Sequence, residues 1–234
     1  VMEAEVRQDD TLVARAQADG LSHLALTDTH ALYGAVAFAR ACRAAGIQPI
    51  IGMTVTVAGS SILDDETAPG QLVLLATSPA GYRSLCRLSS RIQGSPTREA
   101  LAVRGLDWED LAANREGLIC LSGGRQGWSE RHLRAGDPGA AQQVLSRLAS
   151  IYDQHIGLAL ELHDPADAAV AQEVAALGRQ LALATVAVQP VYCLAPGDWP
   201  QLQLLAAIRH NVRVGDDTPG GTPARHTAVE NHWL

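Results

Sequence analysis

The sequence predicts an α/β fold in which strands and helices alternate within one domain. Short apolar runs bounded by turn residues recur along the chain, and the segments between them carry apolar residues at helical spacing. Hydrophobic residues make up 47% of the 234 residues and aromatic residues only 4%, so the core is built mainly from small aliphatic side chains, as is typical of parallel sheets covered by helices. Because a dozen or more residues separate successive strands, we expect parallel pairing, in a barrel or a doubly wound sheet.

The first part of the chain contains two strand–helix units. The run Leu24-Ala25-Leu26 has the character of a buried strand, and the β-branched residues that end at Val57 predict another. Gly46 stands where a helix needs a left-handed residue at its end. In order, the predicted elements are a helix over residues 10–19, a strand over 21–28, a helix over 32–45, a strand over 49–57 and a polar turn over 59–70.

The alternation continues in the rest of the chain. Ser78 and Asp137 each precede a proline, which is typical of the first residues of a helix. Apolar stripes at helical spacing follow both of them. In order, the predicted elements are a strand over 71–76, a helix over 78–92, a loop over 94–105, a helical turn over 108–113, a strand over 117–122, a helix over 137–152, a strand over 156–162, a helix over 170–181, a strand over 183–188 and a helix over 202–208.

The distribution of charge disfavours direct DNA binding by this chain. All 18 basic residues are Arg, they form no continuous run, and the formal net charge is −7. A protein that grips nucleic acid by itself usually presents a basic face, because phosphate contacts dominate that affinity. The sequence therefore favours function classes that do not depend on nucleic-acid binding by this domain alone.

The cysteines and the hydropathy pattern indicate a cytoplasmic protein. No CxxC pair occurs, and we interpret the scattered cysteines as buried thiols, not as disulfides or zinc ligands. No apolar run is long enough to span a bilayer, so we expect no membrane partner. The four cysteines are Cys42, Cys86, Cys120 and Cys193.

Metal-ligating side chains cluster at two predicted strand ends. In barrels and doubly wound sheets, ligands bind at the carboxyl ends of the strands. Asp28 and His30 follow the first strand, and Glu161, His163 and Asp164 follow a later one. Residues two apart in a strand point the same way, so Glu161 and His163 share a face. These residues are candidates for a small metal site, and the alternative is that hydrogen bonds at the loop openings satisfy them.

Eight segments carry a family resemblance: LALTD (24–28), LYGAVAF (32–38), AGIQPIIG (45–52), GYRSLCRL (81–88), WEDL (108–111), EGLICLSG (116–123), AIR (207–209) and 230–234. In this order they resemble the polymerase-and-histidinol-phosphatase (PHP) domain of bacterial DNA polymerase III alpha subunits. The resemblance implies a distorted (β/α)7 barrel that lacks its first strand here, because family members begin with a His-x-His-Ser stretch before the position of Val1. It also implies a PHP domain over 1–214 and a Gly/Pro-rich segment over 215–234 that leads toward a polymerase region.

The resemblance also implies that the metal chemistry has been lost. Active members hold a cluster of metal ions with His, Asp and Glu at several strand ends, and such clusters generate hydroxide for phosphoester hydrolysis. Asp28 matches a family residue, but other ligand positions hold side chains that bind hard or borderline cations poorly. We therefore expect no catalytic residue and no cofactor, with Asp28, His30 and His163 as the candidates for any residual metal binding. The substituted positions are Thr29, Thr54, Pro165, Pro190 and Tyr192.

Two functions follow from the resemblance. The first is a structural module of a polymerase alpha subunit, replicative or error-prone, that docks a proofreading exonuclease and meets DNA only through the parent polymerase. Its partners are then the rest of the subunit and that exonuclease. The alternative is a metal-dependent phosphoesterase or 3′–5′ exonuclease that uses zinc or manganese in a reduced site.

Overall fold

The computed structural model describes residues 11–59, 68–162, 165, 167–188, 190–191, 194, 196–210 and 213. The predicted segment 215–234 and the predicted domain boundary at 214 lie outside these residues, as do the candidates His163 and Asp164. Residues 1–10, which follow the position of the strand predicted to be missing, also lie outside the described residues.

Helices and strands alternate through most of the described residues. The helices are α1 (11–18), α2 (Ala35–Ala44), α3 (Pro79–Gln93), α4 (Arg98–Arg104), α5 (Trp108–Ala113), α6 (Trp128–Arg134), α7 (Pro138–Tyr152), α8 (Asp167–Leu181) and α9 (Trp199–His210), with short 3-10 turns at Gly124–Gln126 and Pro196–Asp198. The strands are β1 (His23–Leu26), β2 (Gln48–Val57), β3 (Gly70–Ala76), β4 (Leu118–Leu121), β5 (Ile156–Leu160) and β6 (Ala184–Ala187).

The strands form one sheet whose spatial order follows the chain, β1-β2-β3-β4-β5-β6. The sheet curls into about half of a barrel with helices between its strands, which confirms the predicted α/β class. The strand pairs β1–β2, β4–β5 and β5–β6 are parallel, with Leu24 opposite Pro49 and Leu158 opposite Thr185.

The prediction of parallel pairing is wrong for β3, which is antiparallel to both neighbours. Val55 lies opposite Leu72 in the β2–β3 pair, and Leu74 lies opposite Cys120 in the β3–β4 pair. The connection from β2 to β3 coincides with the predicted polar turn, which has no helical pattern. Strands joined without a crossover helix run in opposite directions, as in a hairpin, and the sequence of this connection predicts no such helix.

Two short helices were not predicted from the sequence. The predicted loop over 94–105 contains α4, which buries a single large apolar side chain, Leu101. The second helix, α6, follows Gly127 and buries Trp128 and Leu133. Helices of about two turns carry too few apolar residues to establish a 3.6-residue period, and this explains both omissions.

The predicted helix ends are confirmed where a cap defines them. Ser78 Oγ accepts a hydrogen bond from the Gly81 amide at 3.2 Å, and an Asp137 carboxylate oxygen accepts one from the Ala140 amide at 2.9 Å. Gly46, after α2, has a φ of 74°, the left-handed conformation that the sequence predicts there. Each cap therefore satisfies backbone groups that the helix end leaves without an internal partner.

The main core lies between the sheet and the helices that follow β2. It combines the inward residues of β2 to β5 with the apolar faces of α3, α5, α6 and α7. A smaller cluster joins α1 to α2 through Val13, Ala16, Phe38 and Cys42. Cys42 and Cys120 are buried thiols, as predicted, Cys86 is half-buried, and Cys193 lies outside the described residues. In the part of the chain that the structure covers, no helix has the length and apolar character needed to cross a bilayer.

Two stacked tryptophans hold both ends of the β2–β3 connection. The rings of Trp108 and Trp128 are stacked with centroids 5.2 Å apart. The indole nitrogen of Trp108 donates to the carbonyl of Ala58 at 3.2 Å, and that of Trp128 donates to the carbonyl of Ala68 at 2.9 Å. The guanidinium of Arg147 covers the ring of Trp108 at 4.1 Å from its centroid. The pair thus joins α5 and α6 to the two stems of this connection.

Candidate functional site

The first candidate site lies where β1 and β2 end. Beyond β1, the backbone continues to pair with β2 through an isolated bridge between Thr29 and Thr54. The Thr54 amide donates to the carbonyl of Asp28 at 3.0 Å, and the His30 amide donates to the carbonyl of Thr54 at 2.9 Å. The segment that carries Asp28 and His30 is therefore fixed to β2 by its main chain.

The imidazole of His30 forms part of the scaffold. Its Nε2 accepts a hydrogen bond from the backbone N–H of Thr56 at 3.1 Å and lies 3.0 Å from the hydroxyl oxygen of the same residue. The residue is 9% exposed. Both of these Nε2 contacts are to Thr56, and they direct the imidazole at β2.

The backbone of His30 is also held in place by α3. Its φ of 63° is in the left-handed region, which costs a non-glycine residue about 1–2 kcal/mol. The His30 carbonyl accepts hydrogen bonds from Ser89 Oγ and Gln93 Nε2, each at 3.1 Å. These bonds keep the unfavourable conformation in place and tie the end of β1 to α3.

Thr54 occupies a position where the family resemblance implies a glutamate ligand. Its hydroxyl donates to the carbonyl of Thr27 at 2.9 Å. This neutral side chain therefore bonds to the backbone of the preceding strand end. The Thr54 hydroxyl therefore links β2 to the segment that follows β1.

The second candidate site lies where β4 and β5 end. Ser122 Oγ accepts a hydrogen bond from the Ala159 amide at 3.0 Å, which joins the two strand ends. The Glu161 carboxylate lies against the backbone of Gly124, where an added Cβ would be 1.9 Å from Oε1. The Arg125 amide also approaches Oε2 of Glu161, at 3.4 Å. Gly124 therefore provides the space for the Glu161 carboxylate beside the turn.

A buried ion network adjoins this turn and was not predicted from the sequence. Nη2 of Arg134 donates to Glu130 Oε1 at 2.7 Å and to Asp167 Oδ1 at 2.6 Å. Both carboxylates are buried, at 4% and 2% exposed. Arg125 approaches the other oxygen of Asp167 at 3.9 Å. The spacing of Glu130 and Arg134, four residues apart, is the only local signal of this network, and it is typical of ordinary surface pairs.

Burial raises the pKa of the Glu130 carboxyl above its usual value. Hydrogen bonding and the charge of Arg134 oppose this shift, while the charges of Glu161 and Asp167 add to it. The hydrogen bonds of Arg134 to Asp167 and Glu130, together with their charges, raise the pKa of its guanidinium against the opposing effect of desolvation. Arg134 thus stays charged and is the cation that compensates two buried carboxylates.

The two candidate sites use their side chains differently from a metal centre. Within the described residues, no three His, Cys, Asp or Glu side chains come close enough together to hold a metal ion. His30 and Thr54 bond to backbone groups, and the Glu161 carboxylate lies against the 3-10 turn Gly124–Gln126. The donor groups described at these strand ends therefore do not fit a metal cluster.

Comparison with known proteins decides the family. The sequence profile of the PHP domain matches residues 2–165, more than half of the chain. The chain belongs to the PHP domain family. The solved structure of a protein from Bifidobacterium adolescentis, for which metal-dependent phosphoesterase activity has been suggested, is similar over 77% of this PHP domain and 81% of that chain, with a TM-score of 0.50 and 13% identity. At that identity, the similarity supports the fold alone.

Two curated relatives place this PHP domain among polymerase sequences. It is 31% identical over 209 residues to DNA polymerase III subunit alpha of Bacillus subtilis, which covers 88% of the chain and 18% of the relative. It is 34% identical over 206 residues to the error-prone DNA polymerase of Pseudomonas fluorescens, again 88% of the chain and 18% of the relative. The PHP domain is homologous to the N-terminal regions of both polymerase types, and it spans about a fifth of their length.

Proposed function

We propose that this PHP domain is a structural and partner-docking module of a DNA polymerase III alpha-type subunit, without catalysis of its own. The observation that carries the proposal is the hydrogen bond from the Thr56 amide to Nε2 of His30. A metal-binding imidazole must offer its lone pair to the ion, whereas this lone pair accepts from the main chain of β2. His30 thus stabilises the scaffold at the strand ends, the place where active family members are expected to hold metal ions.

The proposed role assigns residues 1–214 to the docking module and residues 215–234 to a connection toward the polymerase region. Homology to polymerases that are about five times longer supports a place within a larger polypeptide. The proposed location of that polypeptide is the cytoplasm. The proposed partners are the rest of that polypeptide and a separate proofreading exonuclease. DNA polymerisation itself belongs to the parent enzyme in this proposal.

A pull-down tests the docking role. The parent subunit, with and without this PHP domain, is mixed with the proofreading exonuclease, and the retained exonuclease and the thermal stability of the subunit are measured. We expect deletion to reduce both. Unchanged exonuclease binding together with unchanged polymerase stability would contradict the proposal.

The alternative function is a metal-dependent phosphoesterase or 3′–5′ exonuclease with a reduced site. The observation in its favour is that Asp28, His30 and Glu161 all lie at carboxyl ends of strands, where such sites form. Elemental analysis of the purified chain and an assay with added zinc or manganese separate the two functions. Stoichiometric metal that is lost in both His30→Ala and His163→Ala variants would favour the alternative.

A further inference from the structure

Helix α3 carries three arginines on one exposed face. Arg83, Arg87 and Arg91 are four residues apart, so they lie one above another along the helix, about 6 Å from one to the next. All three are exposed, and the helix contains no acidic residue in a chain whose net charge is −7. We call these three residues the arginine stripe. Three other residues separate each arginine of the stripe from the next, so the stripe does not form a continuous basic run in the sequence.

The charge of the stripe is only partly compensated by neighbouring side chains. Arg87 donates to Asn114 Oδ1 at 2.8 Å and to Ser84 Oγ at 3.0 Å, and both acceptors are neutral. Arg91 forms an ion pair with Asp110 at 3.4 Å, with 58% of the arginine side chain exposed. Among the described residues, Asp110 is the one carboxylate paired with the stripe. The bonds of Arg87 also orient its guanidinium along the helix surface without cancelling its charge.

The opposite face of α3 explains why the stripe points outward. Leu85, Leu88 and Ile92 are buried in the main core, which fixes the rotation of the helix. None of the large apolar side chains exposed in the described residues lies on α3. Arginine also occurs at the centre of protein–protein interfaces, but usually beside apolar or aromatic side chains, and this face has no exposed large apolar residue. A row of exposed guanidinium groups on one helix face instead suits the regularly spaced phosphates of a nucleic acid.

We propose that the arginine stripe binds the phosphate backbone of DNA. The choice of DNA rests on the proposed function, because the curated relatives are DNA polymerases. Contact through phosphates alone gives binding without sequence preference. Such contact would let the domain hold duplex DNA beside the polymerase without contributing a catalytic group.

Binding of the 234-residue chain to a fluorescent duplex oligonucleotide tests the proposal. Anisotropy is measured between about 50 and 200 mM salt, a range over which three phosphate contacts predict a loss of affinity of about 40-fold. In Arg83→Gln/Arg91→Gln, we expect about tenfold weaker binding at the lower salt and a log–log salt slope smaller by about two. Arg87 is kept in this variant because its side chain bonds to Asn114 and Ser84.

The matched control removes the same charge elsewhere. Arg40→Gln/Arg43→Gln changes two exposed arginines on α2, and we expect its affinity to stay within about twofold of the unmodified chain. Equal weakening in both variants, or no detectable binding by the unmodified chain at the lower salt, would overturn the proposal. Displacement of the DNA by polyglutamate as efficiently as by unlabelled duplex would assign the stripe to an acidic protein and overturn the choice of DNA. A negative DNA result leaves the exonuclease pull-down unaffected, so the two proposals fail separately.

Discussion

The backbone amide of Thr56 donates a hydrogen bond to Nε2 of His30 at 3.1 Å, across 26 residues of chain. Through this hydrogen bond, the His30 side chain links β2 to the segment that follows β1. It also makes the identity of residue 30 important for stability, because the Thr56 amide needs an acceptor in this position.

Replacement of His30 should reveal this structural role. We expect His30→Ala to lower the free energy of unfolding by about 1–3 kcal/mol, since the Thr56 amide loses its acceptor in a buried setting. His30→Gln keeps a side-chain acceptor and should lose less. Urea denaturation of both variants measures the difference, and equal stability of His30→Ala and the unmodified chain would disprove the bracing role.

Removal of Arg134 should be costly because two buried carboxylates lose the guanidinium to which both of them bond. For Arg134→Met we expect a loss of about 3 kcal/mol or more in the free energy of unfolding. Arg179→Met, at an exposed position of α8, is the matched control and should change stability by less than about 0.5 kcal/mol. Similar midpoints for the two variants would show that the network contributes no net stability.

Glu130 should make stability depend on pH in a defined direction. Because its pKa is raised in the folded state, the folded protein binds the proton more tightly than the unfolded chain. Its contribution is therefore fully present below the unfolded pKa, about 4.3, and is lost as pH rises through the folded value.

Glu130→Gln removes this titration. We expect the variant to gain stability relative to the unmodified chain as pH rises from about 4 to 8, as measured by urea midpoints at each pH. The Gln side chain retains an acceptor for Arg134, which keeps the comparison free of a lost hydrogen bond. An identical pH profile for both proteins would contradict the assignment.

The stacked tryptophans should be energetically coupled. Trp108→Phe and Trp128→Phe each remove an indole N–H that bonds to a backbone carbonyl, and we expect each to cost about 1–3 kcal/mol. Because the rings touch, the double variant should depart from the sum of the single variants by at least about 0.5 kcal/mol. Loss of near-ultraviolet circular dichroism should accompany either single replacement. Strict additivity would show that the stack carries no coupling.

Two glycines should respond oppositely to alanine. A Cβ at Gly81 would be 1.9 Å from the carbonyl oxygen of Gly117, so Gly81→Ala forces two backbone segments apart and should cost about 1–3 kcal/mol. Gly139, in the first turn of α7, has its nearest neighbour at 3.4 Å, and Gly139→Ala should be neutral or stabilising by up to about 1 kcal/mol. Thermal melts of the pair measure the contrast, and a shared direction of change would refute the close-contact argument.

Local sequence patterns were sufficient for much of the fold but not for the chemistry at the strand ends. Caps at Ser78 and Asp137, and the left-handed Gly46, are local events, and they agree with the structure. The reversed direction of β3 depended on how the β2–β3 turn closes, a feature that hydrophobic spacing does not encode.

At the candidate site, too, the sequence predicts the local positions of residues but not their long-range partners. The sequence places Asp28 and His30 after β1, and the structure agrees. The partners of these residues could not be predicted from local pattern, because Thr56 is 26 residues from His30 and Asp167 is 33 residues from Arg134. Pairings at such distances depend on the final packing of strands and helices.

The stacked pair of Trp108 and Trp128 has a consequence for protein engineering and for sequence variation among relatives. The carbonyls of Ala58 and Ala68 each accept a hydrogen bond from an indole N–H. We therefore expect that the segment between these two residues can change in length while β2 and β3 keep their register. Lengthening an anchored span costs little, because closure entropy grows only with the logarithm of its length. This position is therefore where a reporter peptide or a foreign module could be inserted with the least disturbance to the sheet.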